Sequence, residues 1–362
     1  KCKYCRLPEN SLDRGDHLEN YAYNFIHNLS VEEIFNVKFD VIIGNPPYQL
    51  QDAGDSTGAS PIYQIFVEQA KKLEPKYISM IIPSRWFAGG KGLDEFRRNM
   101  LADKHISHIV DYHDAWDCFP GVEIKGGVCY FLWNSSYEGA CKITPIVSGK
   151  KLPTLERNLN EYDVLIRHHE QVSVLKKVLS KNEASLEDQI SRQKPFGFRT
   201  NFKDFKDKPF KGAVKIYANK AIGYISRSDV EVNPSWIDKY KVIISRSYNG
   251  GYKFPHQIIN KPIVASPGSV CTETYIVLGL FDTELEAQNL ASYVRTKFFR
   301  FMVSIRKVSQ DNPRDRFKYV PKLDLSVEWS DSKLYKKYEI SKDEQKFIDS
   351  LIREISSDCL EE

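Results

Sequence analysis

The passage that most constrains this chain is Phe39-Asp40-Val41-Ile42-Ile43-Gly44-Asn45-Pro46-Pro47-Tyr48. A short β-branched run bounded by Gly and Pro is expected to be a buried strand that runs into a rigid loop. In an open α/β sheet the carboxyl end of such a strand is where ligands sit. The residue types in the loop suit one kind of chemistry. An exocyclic amine on a conjugated ring is a poor nucleophile because its lone pair is delocalised. Two acceptors aimed at its N–H groups would draw the nitrogen toward tetrahedral geometry and free that pair. The Asn45 side-chain oxygen and the Pro46 carbonyl are such acceptors. Pro46 and Pro47 fix φ and carry no N–H, so no donor competes. Tyr48 offers a ring face on which an extruded base can stack.

The surrounding pattern is that of alternating strands and helices. Ile62, Ile65, Phe66, Gln69 and Leu73 recur at helical spacing over 61–73, with Pro61 near the first turn. Tyr77–Ile82 is a second buried strand, ending at Pro83-Ser84-Arg85-Trp86-Phe87. Strand, helix, strand implies a right-handed parallel crossover. Ile106–Asp111 and Gly127–Trp133 read as third and fourth strands, joined by Gly-rich turns into a hairpin. Residues 49–60 are polar and Gly-rich, a loop suited to closing over a substrate. Gly89-Gly90-Lys91-Gly92 imitates a dinucleotide loop but lacks the Gly-x-Gly-x-x-Gly spacing, and reads as a flexible lead into helix 93–102.

Gly44-Asn45-Pro46-Pro47-Tyr48 after a hydrophobic strand resembles the catalytic motif of S-adenosylmethionine-dependent amino-methyltransferases. Within that group the chain is similar to N6-adenine DNA methyltransferases of bacterial type II restriction–modification systems, gamma class, with a TaqI-like motif order. The resemblance implies a Rossmann-like methyltransferase sheet, partial at its N-terminus, followed by a mixed α/β target-recognition domain. It implies catalytic roles for Asn45, Pro46, Pro47 and Tyr48, and a base pocket of Phe119 and Trp86, although core packing accounts for Trp86 equally well. The implied cofactor is S-adenosylmethionine, met by Asn45 and by Asp16 of a Gly-Asp step. That step lies 29 residues before Asn45, a long separation, and an N-cap or turn explains Asp16 as readily. The family's Phe-x-Gly-x-Gly cofactor loop and its ribose-binding acid have no convincing match. The chain opens on Lys1 in mid-pattern, so a piece of a longer protein is expected, with room upstream for a fused or associated endonuclease or helicase region.

Net charge is +4, but it is unevenly distributed. Residues 1–190 carry 22 Lys+Arg against 26 Asp+Glu, residues 191–330 carry 24 against 13, and residues 331–362 carry 6 against 9. A basic block interleaved with aromatic residues fits a surface that neutralises phosphates of double-stranded DNA. The residues expected to touch DNA are Arg192, Lys194, Arg199, Arg246, Tyr248, Asn249, Lys253, Arg306, Lys307, Arg314 and Arg316. The expected division is a catalytic half over 1–150, a helical connection over 151–190, target recognition over 191–330 and a helical segment over 331–362.

Other motifs weigh less. Cys2-Lys3-Tyr4-Cys5 is half of a zinc spacing with no second pair, and no metal is expected. The remaining Cys are scattered, which suits reduced thiols in a bacterial cytoplasm, and no apolar run is long enough to span a membrane. Asp111 with Glu123-Ile124-Lys125 imitates a metal-nuclease arrangement, on a segment the methyltransferase strands already explain. Two rival functions remain: methylation of a protein glutamine amide, and a non-catalytic DNA-specificity fragment. A cytosine-C5 enzyme is disfavoured, since there is no Pro-Cys nucleophile.

Overall fold

A computed structural model describes residues 25–27, 37–50, 60–248, 255–307 and 311–355. Asp16, Asn249, Lys253, the Cys2/Cys5 pair and most of the expected loop over 49–60 lie outside these. The chain divides into two compact units, 1–167 and 168–362. The boundary falls inside the stretch expected to be a connection.

The first unit is built on a seven-stranded mixed sheet. Its strands are β1 (Val41–Gly44), β4 (Tyr77–Pro83), β5 (Ile106–Tyr112), β6 (Val128–Asn134), β7 (Cys141–Val147), β8 (Lys150–Lys151) and β9 (Leu155–Arg157). A separate pair, β2 (Gln49–Leu50) and β3 (Ser60–Pro61), closes the loop after the motif. The helices are α1 (Tyr63–Lys72) and α2 (Asp94–Ala102). The strand order is β1-β4-β6-β5-β7-β8, with β9 also on β7. β1 and β4 run parallel in register from Val41↔Tyr77 to Gly44↔Met80, as the strand–helix–strand pattern requires. The expected hairpin is present, with β6 antiparallel to both β4 and β5.

Alternation explains the core. Ile78, Met80 and Ile82 on β4 face inward with Ile109 and Phe131, and meet Tyr63, Val67, Phe96 and Met100 of the two helices. Each such buried side chain contributes about 1.5–3 kcal/mol. Asp103, just past α2, ties the layers together: it pairs with Lys71 at 2.5 Å and accepts from the Trp133 indole at 3.0 Å. β1 departs from expectation. Its Val41 and Ile43 are 50% and 79% exposed rather than buried, because among the described residues β1 pairs with β4 alone and only one face is covered.

The second unit begins with α3 (His169–Leu179), inside the stretch expected to be a helical connection. It holds two three-stranded sheets. One is β11-β10-β14, from β10 (Ala213–Ala218), β11 (Ala221–Ser226) and β14 (Ser269–Cys271). The other is β13-β12-β15, from β12 (Tyr240–Ser245), β13 (Ile263–Ala265) and β15 (Tyr275–Phe281). Two helices follow β15: α4 (Glu284–Arg295) and α5 (Lys297–Ser304). At the break the Thr296 hydroxyl donates to the Tyr293 carbonyl (2.7 Å) and accepts from the Phe299 amide (3.1 Å), ending one helix and capping the next. The closing helices α6 (Asp331–Lys337) and α7 (Lys342–Leu351) belong to this unit. Phe298 stacks on Tyr338 at 4.9 Å, and Phe301 meets Phe347 edge-on at 6.1 Å. No helix among the described residues is long and apolar enough to cross a membrane.

Candidate active site

β1 delivers Asn45 to its carboxyl end, where the side chain is exposed, Pro46 is buried and Pro47 is exposed. Two prolines in sequence hold this turn without donors of their own. Tyr48 anchors the loop from below. Its carbonyl accepts from Ile62 at 3.2 Å, and its half-buried ring packs against the core. The phenol hydroxyl is buried without a hydrogen-bond partner among the described residues. Burial, with the neighbouring Cys118 and Cys129 thiols, pushes the Tyr48 phenol up to about 12. The phenol is therefore neutral at any working pH. Phe119 stands half-buried in the turn beyond Cys118, its amide donating to Ala115 at 2.7 Å. The motif loop and the Phe-Pro-Gly turn are thus drawn to one corner of the sheet.

Trp86 is not part of that corner's surface. It is fully buried, edge-on to Phe87 at 4.8 Å and to Phe96 at 5.9 Å, so it is a core residue and not a wall of a base pocket. The Gly-rich stretch 89–92 is held to α2 rather than loose: Arg97 donates to the Ala88 carbonyl (2.6 Å) and to Asp94 (2.9 Å), which also accepts from the Gly90 amide (3.2 Å).

Beneath the corner lies a buried charge cluster that the sequence did not point to. Asp111 is 1% exposed. Arg167 forks onto it through Nε at 2.6 Å and a terminal nitrogen at 2.5 Å, and Ser84 donates to it at 2.9 Å. His113 Nε2 lies 3.2 Å away. Burial alone would raise the Asp111 carboxyl, but the Arg167 charge and the hydrogen bonds hold it well below the usual carboxylate range. Burial and Arg167 hold the His113 imidazole below its ordinary value, against the pull of Asp111. Arg167 also donates to the Gly126 and Tyr112 carbonyls, at 2.9 and 3.3 Å, and so clamps the β5–β6 turn. Gly127 is obligatory there: φ is +78°, and a Cβ would fall 2.0 Å from the Tyr112 carbonyl oxygen. A carboxylate neutralised in this way is not a metal ligand, and no group of three metal-binding side chains occurs among the described residues. The Asp111…Lys125 likeness to a metal nuclease is thereby set aside. Trp116, 58% exposed in the same turn, is a further aromatic residue that the sequence reading overlooked.

The residues expected to touch DNA fall into two groups. Arg192 and Arg199 are exposed, and Lys194, Arg246, Tyr248 and Arg314 are partly so. Three others are structural. Arg306 is 3% exposed, 5.2 Å over the Tyr319 ring and 3.8 Å from Asp315. Arg316, 4% exposed, donates to the Arg306 carbonyl at 2.7 Å. Lys307 donates inward to the Ile258 carbonyl (2.6 Å) and the Asn312 side chain (2.7 Å). Desolvation is the reason: each long side chain lies inside the fold and finds its partners there.

Residues 2–119 match the family model described as Eco57I restriction-modification methylase. An "uncharacterized adenine-specific methylase" of Mycoplasma pneumoniae is 38% identical over 193 residues, covering 49% of this chain and 45% of the relative. The chain resembles adenine-specific restriction–modification methylases. It spans less than half the length of that relative. Among solved structures, the type IIG restriction endonuclease BpuSI covers 89% of this chain and 55% of its own length, at 12% identity and a TM-score of 0.33. The type IIL enzyme MmeI in complex with DNA covers 77% and 45%, at 11% identity and a TM-score of 0.43.

Two residues were expected to meet S-adenosylmethionine, Asp16 and Asn45. Asp16 lies outside the described residues, Asn45 stands exposed at the strand end, and the buried carboxylate beneath, Asp111, is already taken by Arg167, Ser84 and His113.

Proposed function

We propose that this chain is the amine-receiving part of an adenine-specific DNA methyltransferase of a restriction–modification system. In this reading the target adenine of double-stranded DNA is flipped out, stacks on Tyr48 and Phe119, and offers its N6 amine to the Asn45 side-chain oxygen and the Pro46 carbonyl. These acceptors withdraw the two N–H groups from the ring's conjugation and leave the lone pair free to attack. Their placement before the reaction carries the advantage, since fixed dipoles need no reorganisation in the transition state. The methyl donor in this reading is S-adenosylmethionine. The reaction takes place in a bacterial cytoplasm, alongside an endonuclease or helicase region of the same system. The basic, aromatic second unit contributes target recognition through exposed Arg192 and Arg199 and partly exposed Arg246.

The observation that carries the reading is the strand-end geometry: an exposed amide on a donor-free Pro-Pro turn, above an aromatic ring whose hydroxyl is buried. The test is Asn45→Ala in the full-length protein, assayed for adenine methylation and for duplex binding. Methylation should disappear while binding is retained; equal methylation by both proteins would exclude the assignment.

A further inference from the structure

In the second unit a cavity of about 450 Å³ is lined by Glu187, Arg192, Arg246, Ile276, Asp311 and Pro313, among others. That volume lies within the ~300–1,000 Å³ of small-molecule sites. Most polar groups around it are already spent. Arg314 donates to the Glu187 carbonyl (2.9 Å) and to Asp188 (2.8 Å), Gln193 donates to Glu273 (3.2 Å), and Asp311 accepts from Ser247 (2.5 Å). Three lining groups are not. Arg192 and Arg246 have no carboxylate at ion-pair distance among the described residues, and the Glu187 carboxylate has no partner there. Ile276, 2% exposed, and Pro313 supply apolar surface between them.

The backbone that carries Arg246 is tied down on both sides. The Arg246 amide donates to the Thr274 carbonyl (2.8 Å), and its own carbonyl accepts from the Asn312 amide (2.7 Å). Fully buried Asn312 also donates to the Ser245 carbonyl (3.2 Å) and accepts from Lys307 (2.7 Å). The inward-turned Lys307 thus helps hold Arg246 in place.

The Arg192 and Arg246 guanidinium groups, with the Glu187 carboxylate and the apolar Ile276 and Pro313, form a donor–acceptor pattern; the Arg246 charge also reaches Glu273, without an ion pair. Adjacent acceptors such as guanine O6 and N7 suit an arginine fork, and the N1–H and N2–H₂ donors of the same base suit a carboxylate. Adenine would turn an amine toward the arginines and a lone pair toward Glu187. A bare phosphate would be repelled by Glu187. We propose that this cavity is a guanine-binding pocket, with Arg192 and Arg246 on the O6/N7 edge and Glu187 on the N1/N2 edge. The source of the guanine, an unpaired base of a DNA strand, rests on the function proposed above; the pocket chemistry does not.

The test is calorimetric titration of the full chain with 5′-GMP, 5′-AMP and inorganic phosphate. GMP should bind at least tenfold tighter than AMP and should not be displaced by phosphate. Arg246→Lys, which keeps the charge but loses the fork, should cut the GMP/AMP preference to less than threefold. Arg192→Ala, at an exposed position, should weaken GMP binding at least tenfold with an unchanged melting temperature. Equal affinity for the two nucleotides, displacement by phosphate, or an undiminished preference in Arg246→Lys would overturn the pocket. An oligothymidine carrying a single dG should compete with GMP where an all-dT strand does not. GMP binding without that competition would overturn the DNA source and leave the pocket as a site for free guanine nucleotide. Failure of GMP to bind, with adenine methylation intact, would sink the pocket alone and leave the methyltransferase reading to Asn45→Ala.

Discussion

In the first unit a buried carboxylate, Asp111, is met by the guanidinium fork of Arg167. In the second, two lysines are taken out of water with only neutral oxygens to receive them. Lys241 donates to the Lys239 carbonyl (2.8 Å) and the Ser269 hydroxyl (3.1 Å), and Lys307 to Ile258 and Asn312. Burial pushes Lys241 down to about 8 and Lys307 down to about 7, against the upward pull of neighbouring Asp238 and Asp311. A paired carboxylate fixes a turn and loses its contribution only in acid, whereas a lysine buried among neutral oxygens makes the fold sensitive to proton concentration from neutral pH upward. The same chain thus uses buried charge as a clamp in one unit and carries it as a cost in the other.

Breaking the clamp should have the largest effect. Arg167→Ala leaves Asp111 charged, buried and unpaired, and is expected to destabilise the first unit by about 3–5 kcal/mol. Hydrogen exchange at the β5–β6 amides checks this; protection equal to the parent protein would show that the fork is not a clamp. Acid should act in the same direction. Because the folded Asp111 carboxyl lies below its unfolded value, its contribution is complete above about pH 4 and fades as pH falls toward the folded value. Asp111→Asn should therefore flatten the acid limb of the stability curve. The second unit should respond at the other end of the scale. Lys307 is easier to protonate unfolded than folded, so protection of β12 should rise as pH goes from 7 toward about 10, and Lys307→Met should reduce that slope. Smaller still is Thr296→Ala, expected to cost about 1 kcal/mol through loss of the shared cap. Arg306→Ala sharpens the contrast differently: it should lower stability and leave the salt dependence of DNA binding unchanged, whereas Arg199→Ala should reduce that dependence.

Much of the first unit was legible in the sequence because its signals are local. The β1 strand and its loop, α1, β4 and the β5–β6 hairpin all follow from apolar spacing punctuated by Gly and Pro. The Asp111–Arg167 pair was hidden because its partners stand 56 residues apart, and the one motif that drew notice to Asp111 pointed to Glu123 and Lys125 instead. Exposure of Val41 and Ile43 was missed because a β-branched run reads as buried whether one face is covered or two. In the second unit the charge excess was correctly located, but counting lysines and arginines cannot say which of them point inward. Arg306, Lys307 and Arg316 do, and each finds an oxygen within the fold, of Asp315, Asn312 and the Arg306 carbonyl respectively. The Asn45 and Tyr48 corner was the easiest part to read, since two prolines leave the backbone few alternatives.

The bend at Thr296 has a consequence for how this region can vary. One hydroxyl serves both helices, so there is no spare residue to absorb an insertion or a deletion. Adding or removing one position at the bend would turn α5 by about 100° around its own axis. Phe298, Phe299 and Phe301, none of them accessible now, would rotate toward water together. Length changes in related chains should therefore collect elsewhere, and this hinge-like corner should keep a fixed count of residues even where its side chains drift.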